Sequence, residues 1–162
     1  MRARFLVFLS VIGAGTLLSI MAFAQTPFGP YGGSGGTRFE DMIPAGSRIV
    51  EVQIRAGAYI DAIKIFYENG GVRDSFPKRG GNGGQLYRFI LDNDEFITGI
   101  SGRYGVFVDS IIIHTNKRDS PRYGGRGGAN QYEVPADQGH IVVGFLGRAG
   151  AFVDAIGVIT QP

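Results

Sequence analysis

One five-residue pattern occurs three times in this chain, as Gly57-Ala58-Tyr59-Ile60-Asp61, Gly105-Val106-Phe107-Val108-Asp109 and Gly150-Ala151-Phe152-Val153-Asp154. Each copy has an arginine two residues before it (Arg55, Arg103, Arg148) and a small residue followed by isoleucine after it (Ala62-Ile63, Ser110-Ile111, Ala155-Ile156). The leading glycines stand 48 and then 45 residues apart. Self-similarity at such a period means a fold assembled from equivalent units that bury a shared core. A second pattern keeps step with the first: Gly32-Gly33-Ser34-Gly35-Gly36, Gly80-Gly81-Asn82-Gly83-Gly84 and Gly124-Gly125-Arg126-Gly127-Gly128 start 48 and 44 residues apart. The high glycine content of the chain, 27 residues, is thus gathered where the chain turns.

Between the two patterns the sequence reads as strands. Val50, Val52 and Ile54 alternate with Glu51, Gln53 and Arg55, and Ile141, Val143 and Phe145 alternate in the third unit, the period-2 signature of a half-buried strand. After each aspartate a β-branched run follows, as in Ile63-Lys64-Ile65-Phe66-Tyr67, Ile111-Ile112-Ile113-His114 and Ile156-Gly157-Val158-Ile159. Helical spacing of apolar residues is missing beyond residue 24, so little or no helix is expected. Glu68-Asn69-Gly70-Gly71 reads as a hairpin turn, with further turns at Asp92-Asn93-Asp94 and Ser120-Pro121. The fold class is all-β, and three similar units favour a threefold arrangement over a two-sheet sandwich.

The amino terminus reads separately. Met1-Arg2-Ala3-Arg4, an apolar run from Phe5 to Phe23 and the small-x-small ending Ala22-Phe23-Ala24 make residues 1–24 a secretory signal peptide, with an uncleaved membrane anchor as the competing reading. Residues 25–31 carry two prolines and read as a short leader, and residues 32–162 form the domain. The expectation is a protein secreted to the exterior or a periplasm, with no stable membrane insertion after cleavage. Setting aside Arg2 and Arg4 leaves 14 basic residues against 14 acidic ones. A nucleic-acid partner then lacks its basic footprint. The remaining 138 residues suffice for one domain with a real core. The absence of cysteine excludes disulfides, thiolate metal sites and a cysteine nucleophile, and two histidines, His114 and His140, exclude a three-histidine zinc site.

Enzyme readings are weak. Gly32-Gly33-Ser34-Gly35-Gly36 satisfies Gly-x-Ser-x-Gly, but that motif needs a strand before it and a helix after it, and Asn82 and Arg126 stand in place of the serine in the other copies. Paired glycosidase carboxylates are not indicated either, because the three motif aspartates are equivalent by repeat. The chain is read as a non-enzyme.

From about Tyr31 to Thr160 these motifs resemble the jacalin-related lectins, in their mannose-binding, griffithsin-like form with three equivalent repeats. The resemblance implies a β-prism I: three four-stranded antiparallel sheets around a pseudo-threefold axis, binding carbohydrate at one end without metal or other cofactor. It also implies that a sugar is held by the aspartate and backbone N–H groups of each Gly-x-x-x-Asp loop, with the last glycine of a neighbouring glycine-rich loop closing the site. Carried over by position, Gly57, Tyr59, Ile60 and Asp61 work with Gly84, Gly105, Phe107, Val108 and Asp109 with Gly128, and Gly150, Phe152, Val153 and Asp154 with Gly36. The last group joins the two ends of the chain. Mannose- or glucose-type glycans are the expected partners, since Gln25 to Tyr31 precede Gly32 and leave no free amine at a processed N-terminal glycine, the feature on which galactose-binding members depend.

The residue types suit a sugar. A carboxylate accepts from two adjacent hydroxyls, and charge-assisted hydrogen bonds are roughly twice as strong as neutral ones. Glycine admits backbone N–H groups to close range. Tyr59, Phe107 and Phe152 offer an apolar wall to a sugar ring or else belong to the core, and only Tyr59 keeps the hydroxyl of the griffithsin-like pattern. Two other readings stand beside this one. Arg126 with Arg122 favours an anionic, sulfated glycan, and a structural or adhesion module would bind a protein partner with its sugar sites vestigial. Aspartates directed outward beside the glycines mark the binding reading; aspartates buried and satisfied by their own backbone mark the structural one. Edge strands leave a homodimer possible.

Overall fold

The computed structural model describes residues 24–135 and 139–162. Apart from Ala24, the expected signal segment lies outside the described residues, among which no helix is long and apolar enough to cross a membrane. In chain order the strands are β1 (Thr26–Gly32), β2 (Thr37–Met42), β3 (Arg48–Ala56), β4 (Ile60–Asn69), β5 (Val72–Ser75), β6 (Arg79–Gly80), β7 (Gln85–Ile90), β8 (Ile97–Tyr104), β9 (Val108–Thr115), β10 (Tyr123–Gly124), β11 (Asn130–Pro135), β12 (Ile141–Ala149) and β13 (Val153–Gln161). As expected, no helix occurs among the described residues.

Three antiparallel sheets follow the three repeats, in the orders β1-β13-β12-β2, β5-β4-β3-β7 and β10-β9-β8-β11. In each, a central hairpin (β3–β4, β8–β9, β12–β13) is closed by a Gly-x-x-x-Asp loop, and the glycine-rich loop runs from one flanking strand to the other across the same end. The topology therefore brings the two motifs of each sheet together. The second sheet keeps this plan with a divided edge: β5 pairs one end of β4 (Phe66↔Ser75) and β6 the other (Ala62↔Gly80). The hairpin turn at Asn69-Gly70-Gly71 has both glycines at positive φ, 57° and 83°, where a side chain is disfavoured.

The first sheet is built from both chain ends, since β1 pairs β13 and β2 pairs β12. The expected leader is thus largely ordered, as β1. Its prolines Pro27 and Pro30 sit on an edge strand, where a missing N–H costs no ladder bond.

Inward-facing residues of the central strands pack into one core. Val52, Ile54, Ile63 and Ile65 of the second sheet meet Ile100, Ile111 and Ile113 of the third and Phe145, Ile156 and Val158 of the first, all at most 2% exposed. Full burial of each such side chain contributes about 1.5–3 kcal/mol. A register shift recurs at equivalent places, between Ile49 and Glu51, Ile97 and Gly99, and Val142 and Gly144. The bulged residues Val50, Thr98 and Val143 raise the local twist, which lets three sheets wrap one core.

Alternation places Glu51 on the outer face, yet it is 0% exposed. Arg88 reaches it at 2.6 Å, Gln53 at 2.9 Å, and Arg73 also bonds it. The long arginine side chains roof the carboxylate while their own heads stay about half exposed. Arg88, ahead of the other partners, holds the Glu51 carboxyl down to about 2. Asp41 of β2 is likewise buried, taking bonds at 2.5 and 2.9 Å from Arg79 of β6, which ties the first sheet to the second.

Candidate functional site

Each motif aspartate is the extra residue of a β-bulge. Arg55 pairs Ala62 and Ala56 pairs Ile60, so Asp61 has no cross-strand partner. The same skip omits Asp109 between the pairs Arg103↔Ser110 and Tyr104↔Val108, and Asp154 between Arg148↔Ala155 and Ala149↔Val153. A bulge re-aims a side chain out of the pleat, here towards the glycine-rich loop. The freed main-chain carbonyl accepts from the second glycine of that loop: Gly81 N to Asp61 O at 2.9 Å, Gly125 N to Asp109 O at 2.8 Å and Gly33 N to Asp154 O at 2.8 Å. The first glycine of each motif donates back into its own turn, Gly57 to Tyr59 O, Gly105 to Phe107 O and Gly150 to Phe152 O.

The carboxylates then face glycine. A β-carbon on Gly84 or Gly36 would stand 2.5 Å from Oδ2 of Asp61 or Asp154, and one on Gly128 2.7 Å from Oδ2 of Asp109. These three glycines also have positive φ, 63°, 63° and 77°, so both space and backbone conformation exclude a side chain there. The structure brings together all three pairs that the resemblance implies, Asp61 with Gly84, Asp109 with Gly128 and Asp154 with Gly36. The side chains of Ile60, Val108 and Val153 lie in the core, at most 2% exposed, leaving only their backbone to face the loop.

The repeated arginines hold the glycine-rich loops. Arg55 donates to the carbonyls of Gly83 (2.7 Å) and Gly84 (2.9 Å), Arg103 to those of Gly127 (2.9 Å) and Gly128 (2.7 Å), and Arg148 to those of Gly35 (2.7 Å) and Gly36 (2.8 Å). A planar guanidinium offers two parallel donors to adjacent carbonyls, a geometry an ammonium cannot match.

The aspartates are more enclosed than an open surface site requires, at 6% exposed for Asp61, 4% for Asp109 and 5% for Asp154. The enclosure leaves one of their carboxylate oxygens without a partner, however. Among the described residues Oδ2 of Asp154 has no hydrogen-bond partner, and it lies between Gly36 and Gly150, neither of which has a side chain to offer. Burial pushes the Asp109 carboxyl above the ordinary aspartate range, against the opposing pull of Arg103 and the Gly105 N–H.

Tyr59, Phe107 and Phe152, expected either as sugar-ring walls or as core residues, bring their rings together: the centroids are 5.4 Å apart for Tyr59–Phe107, 5.5 Å for Tyr59–Phe152 and 4.9 Å for Phe107–Phe152. They form one partly exposed cluster where the three loops converge, because each aromatic precedes its bulge and turns toward its counterparts. The glycine-rich loops interlock in the same cyclic sense. The second glycine of each packs on the loop of another sheet: Gly33 against Val106, Gly81 against Ala151 and Gly125 against Ala58.

One further constellation was not visible in the sequence. Ser101 Oγ lies 2.7 Å from His114 Nε2, and His114 Nδ1 2.7 Å from Asp119 Oδ1. The spacing is that of nucleophile, base and orienter. Ser101, though, is inside the central strand β8, paired with Ile112 and with Glu133, so the surrounding ladder supplies no free pair of N–H groups for a developing oxyanion. The Gly-x-Ser-x-Gly segment crosses between β1 and β2 without a helix. Among the described residues no group of three His, Cys, Asp or Glu is placed to hold a metal ion.

Comparison with known proteins agrees with this geometry. A family model described as the jacalin-like lectin domain matches residues 28–159. Horcolin from Hordeum vulgare is 38% identical over 103 residues, 59% of this chain and 70% of that protein. Among solved structures, wild-type Malaysian banana lectin aligns with a TM-score of 0.75 at 32% identity, covering 87% of this chain and 99% of that one. A mannose binding jacalin related lectin from Ananas comosus aligns with a TM-score of 0.74 at 28% identity, covering 85% and 98%.

Proposed function

The chain belongs to the jacalin-like lectin family, and from that premise we propose that it is a secreted, non-enzymatic lectin that binds mannose- or glucose-type residues of glycans at up to three sites. Each site consists of a bulged aspartate, the backbone of its Gly-x-x-x-Asp loop and the closing glycine, with no metal involved. Mannose is favoured by the neighbour from Ananas comosus, which is described as mannose binding. Secretion rests on the reading of residues 1–24 as a signal peptide.

The observation that carries this reading is the unpartnered Oδ2 of Asp154 between Gly36 and Gly150. A buried acceptor without a donor costs about 1–3 kcal/mol. A purely structural capping aspartate would have been satisfied by its own turn. Here the missing donor is what a sugar hydroxyl supplies on displacing the side-chain-free glycine walls that close this oxygen off from solvent. Binding at one site of this kind is weak; joining sites on one molecule raises avidity by roughly 10² to 10⁴ where a branched glycan engages more than one.

A glycan array probed with the chain lacking residues 1–24 tests the proposal. Binding is expected to concentrate on glycans ending in mannose or glucose, and an array with no such signal removes the lectin reading.

A further inference from the structure

The outer face of each sheet carries a cleft, and all three clefts share the loop-clamping arginine as a wall. They measure about 420 Å³ at Arg103, 350 Å³ at Arg148 and 130 Å³ at Arg55. The three aspartate sites are built alike, but the clefts are not, and the cross-strand register shows the difference residue by residue.

In the third sheet one row crosses all four strand positions. Glu133 pairs Ser101 and Ser101 pairs Ile112, and Arg122, one step beyond the pair Tyr123↔Ile111, completes the row at the far edge. Arg122 and Glu133 thus stand on opposite walls of the largest cleft with Ser101 and Ile112 as its floor, and Gln131 lies beside Arg103 in the next row. Among the described residues neither Arg122 nor Glu133 has an ion-pair or hydrogen-bond partner, although the two line the same cleft. The equivalent row of the second sheet is Arg88, Gln53 and Lys64 with Lys78 beyond. It offers no acidic group. That of the first sheet is Glu40, Leu146 and Gly157. This row holds no cation, and the cations of that cleft, Arg38 and Arg148, sit side by side in the next row rather than across from Glu40.

Resting on the lectin reading above, we infer that the Asp109 site is the extended one of the three, and that the cleft between Arg122 and Glu133 takes a second, neutral hexose of the glycan whose terminal residue sits at Asp109. A donor and an acceptor that line one cleft without bonding each other suit a ring that carries hydroxyls in both directions. An anionic sugar would gain Arg122 but meet Glu133. Continuity is supplied by Arg103, which donates to Gly127 and Gly128 at the Asp109 site and walls the cleft.

The test uses the double variant Asp61→Asn, Asp154→Asn, which leaves Asp109 as the single site. Methyl α-mannoside, an α-linked mannobiose and a sulfated mannobiose are titrated calorimetrically. Neutral disaccharide is expected to bind about tenfold more tightly than the monosaccharide, since one or two added charge-assisted bonds suffice for that gain. Adding Arg122→Ala or Glu133→Gln should reduce the disaccharide to the monosaccharide level and leave the monosaccharide unchanged. A monosaccharide that binds while the disaccharide gains nothing, or a gain that survives both substitutions, overturns the subsite. Preference for the sulfated disaccharide overturns its neutral character. Failure of every saccharide, the monosaccharide included, overturns the binding role of Asp109 itself and the extension with it.

Discussion

Arg148 donates from Nη2 to the carbonyl of Gly36 at 2.8 Å and from Nε to that of Gly35 at 2.7 Å. The arginine preceding the third motif thus clamps a loop from the opposite end of the chain against Asp154.

Replacing that clamp tests its part in the site. Arg148→Lys keeps the charge but cannot bridge two adjacent carbonyls, so we expect a loss of about 1 kcal/mol in stability. Affinity at the Asp154 site should fall while the other two sites are unaffected. Urea unfolding and residue-resolved NMR titration with methyl α-mannoside check both parts.

The aromatic cluster makes a different prediction. Because the rings of Tyr59, Phe107 and Phe152 pack on one another within 5.5 Å, Phe107→Ala removes packing from all three loops, at a cost of about 1–2 kcal/mol for these partly exposed rings. Weakened binding at all three sites is the expected NMR result. Weakening confined to Asp109 would mean that the ring serves its own site alone.

Affinity at the Asp109 site should depend on pH. Sugar hydroxyls donate to the ionised carboxylate, so binding is complete above the folded pKa and declines as pH falls through it. Burial raises that value above the ordinary 3.8, so the decline begins at a higher pH than an unperturbed aspartate would give, and it is at most tenfold per pH unit. Titrations of the Asp61→Asn, Asp154→Asn variant across the acid range measure it.

Glu51 titrates with the opposite sign in folding. Its carboxyl is held at about 2, below the ordinary 4.5, so its contribution is fully present above pH 4.5 and is lost as pH falls toward about 2. With its arginines half in water, we expect that contribution to be about 2–3 kcal/mol. Glu51→Gln should lower stability at pH 7 by about 1.5–3 kcal/mol, and the deficit should shrink in acid. Chemical unfolding of both proteins at pH 7 and pH 2.5 makes the comparison.

Much of this was legible in the sequence because repetition carries it. Three motifs in register located the hairpin turns and the glycine-rich crossings, and the resemblance to the jacalin-related lectins supplied the pairs they form. The enclosure of Asp61, Asp109 and Asp154 was not legible, since it depends on a bulge that one-dimensional alternation does not register. Glu51 broke the alternation for a related reason: Arg73 and Arg88, which cover it, come from other strands. The meeting of Tyr59, Phe107 and Phe152 required the threefold axis to be known, and the row from Glu133 to Arg122 required the cross-strand register.

The most direct test is a calorimetric titration of methyl α-mannoside into the wild type and the triple variant Asp61→Asn, Asp109→Asn, Asp154→Asn. We predict saturable binding at up to three sites in the wild type, and none in a triple variant whose unfolding midpoint shows that it is folded. A folded triple variant that binds as well as the wild type would contradict the assignment of the bulged aspartates as the sugar-binding groups.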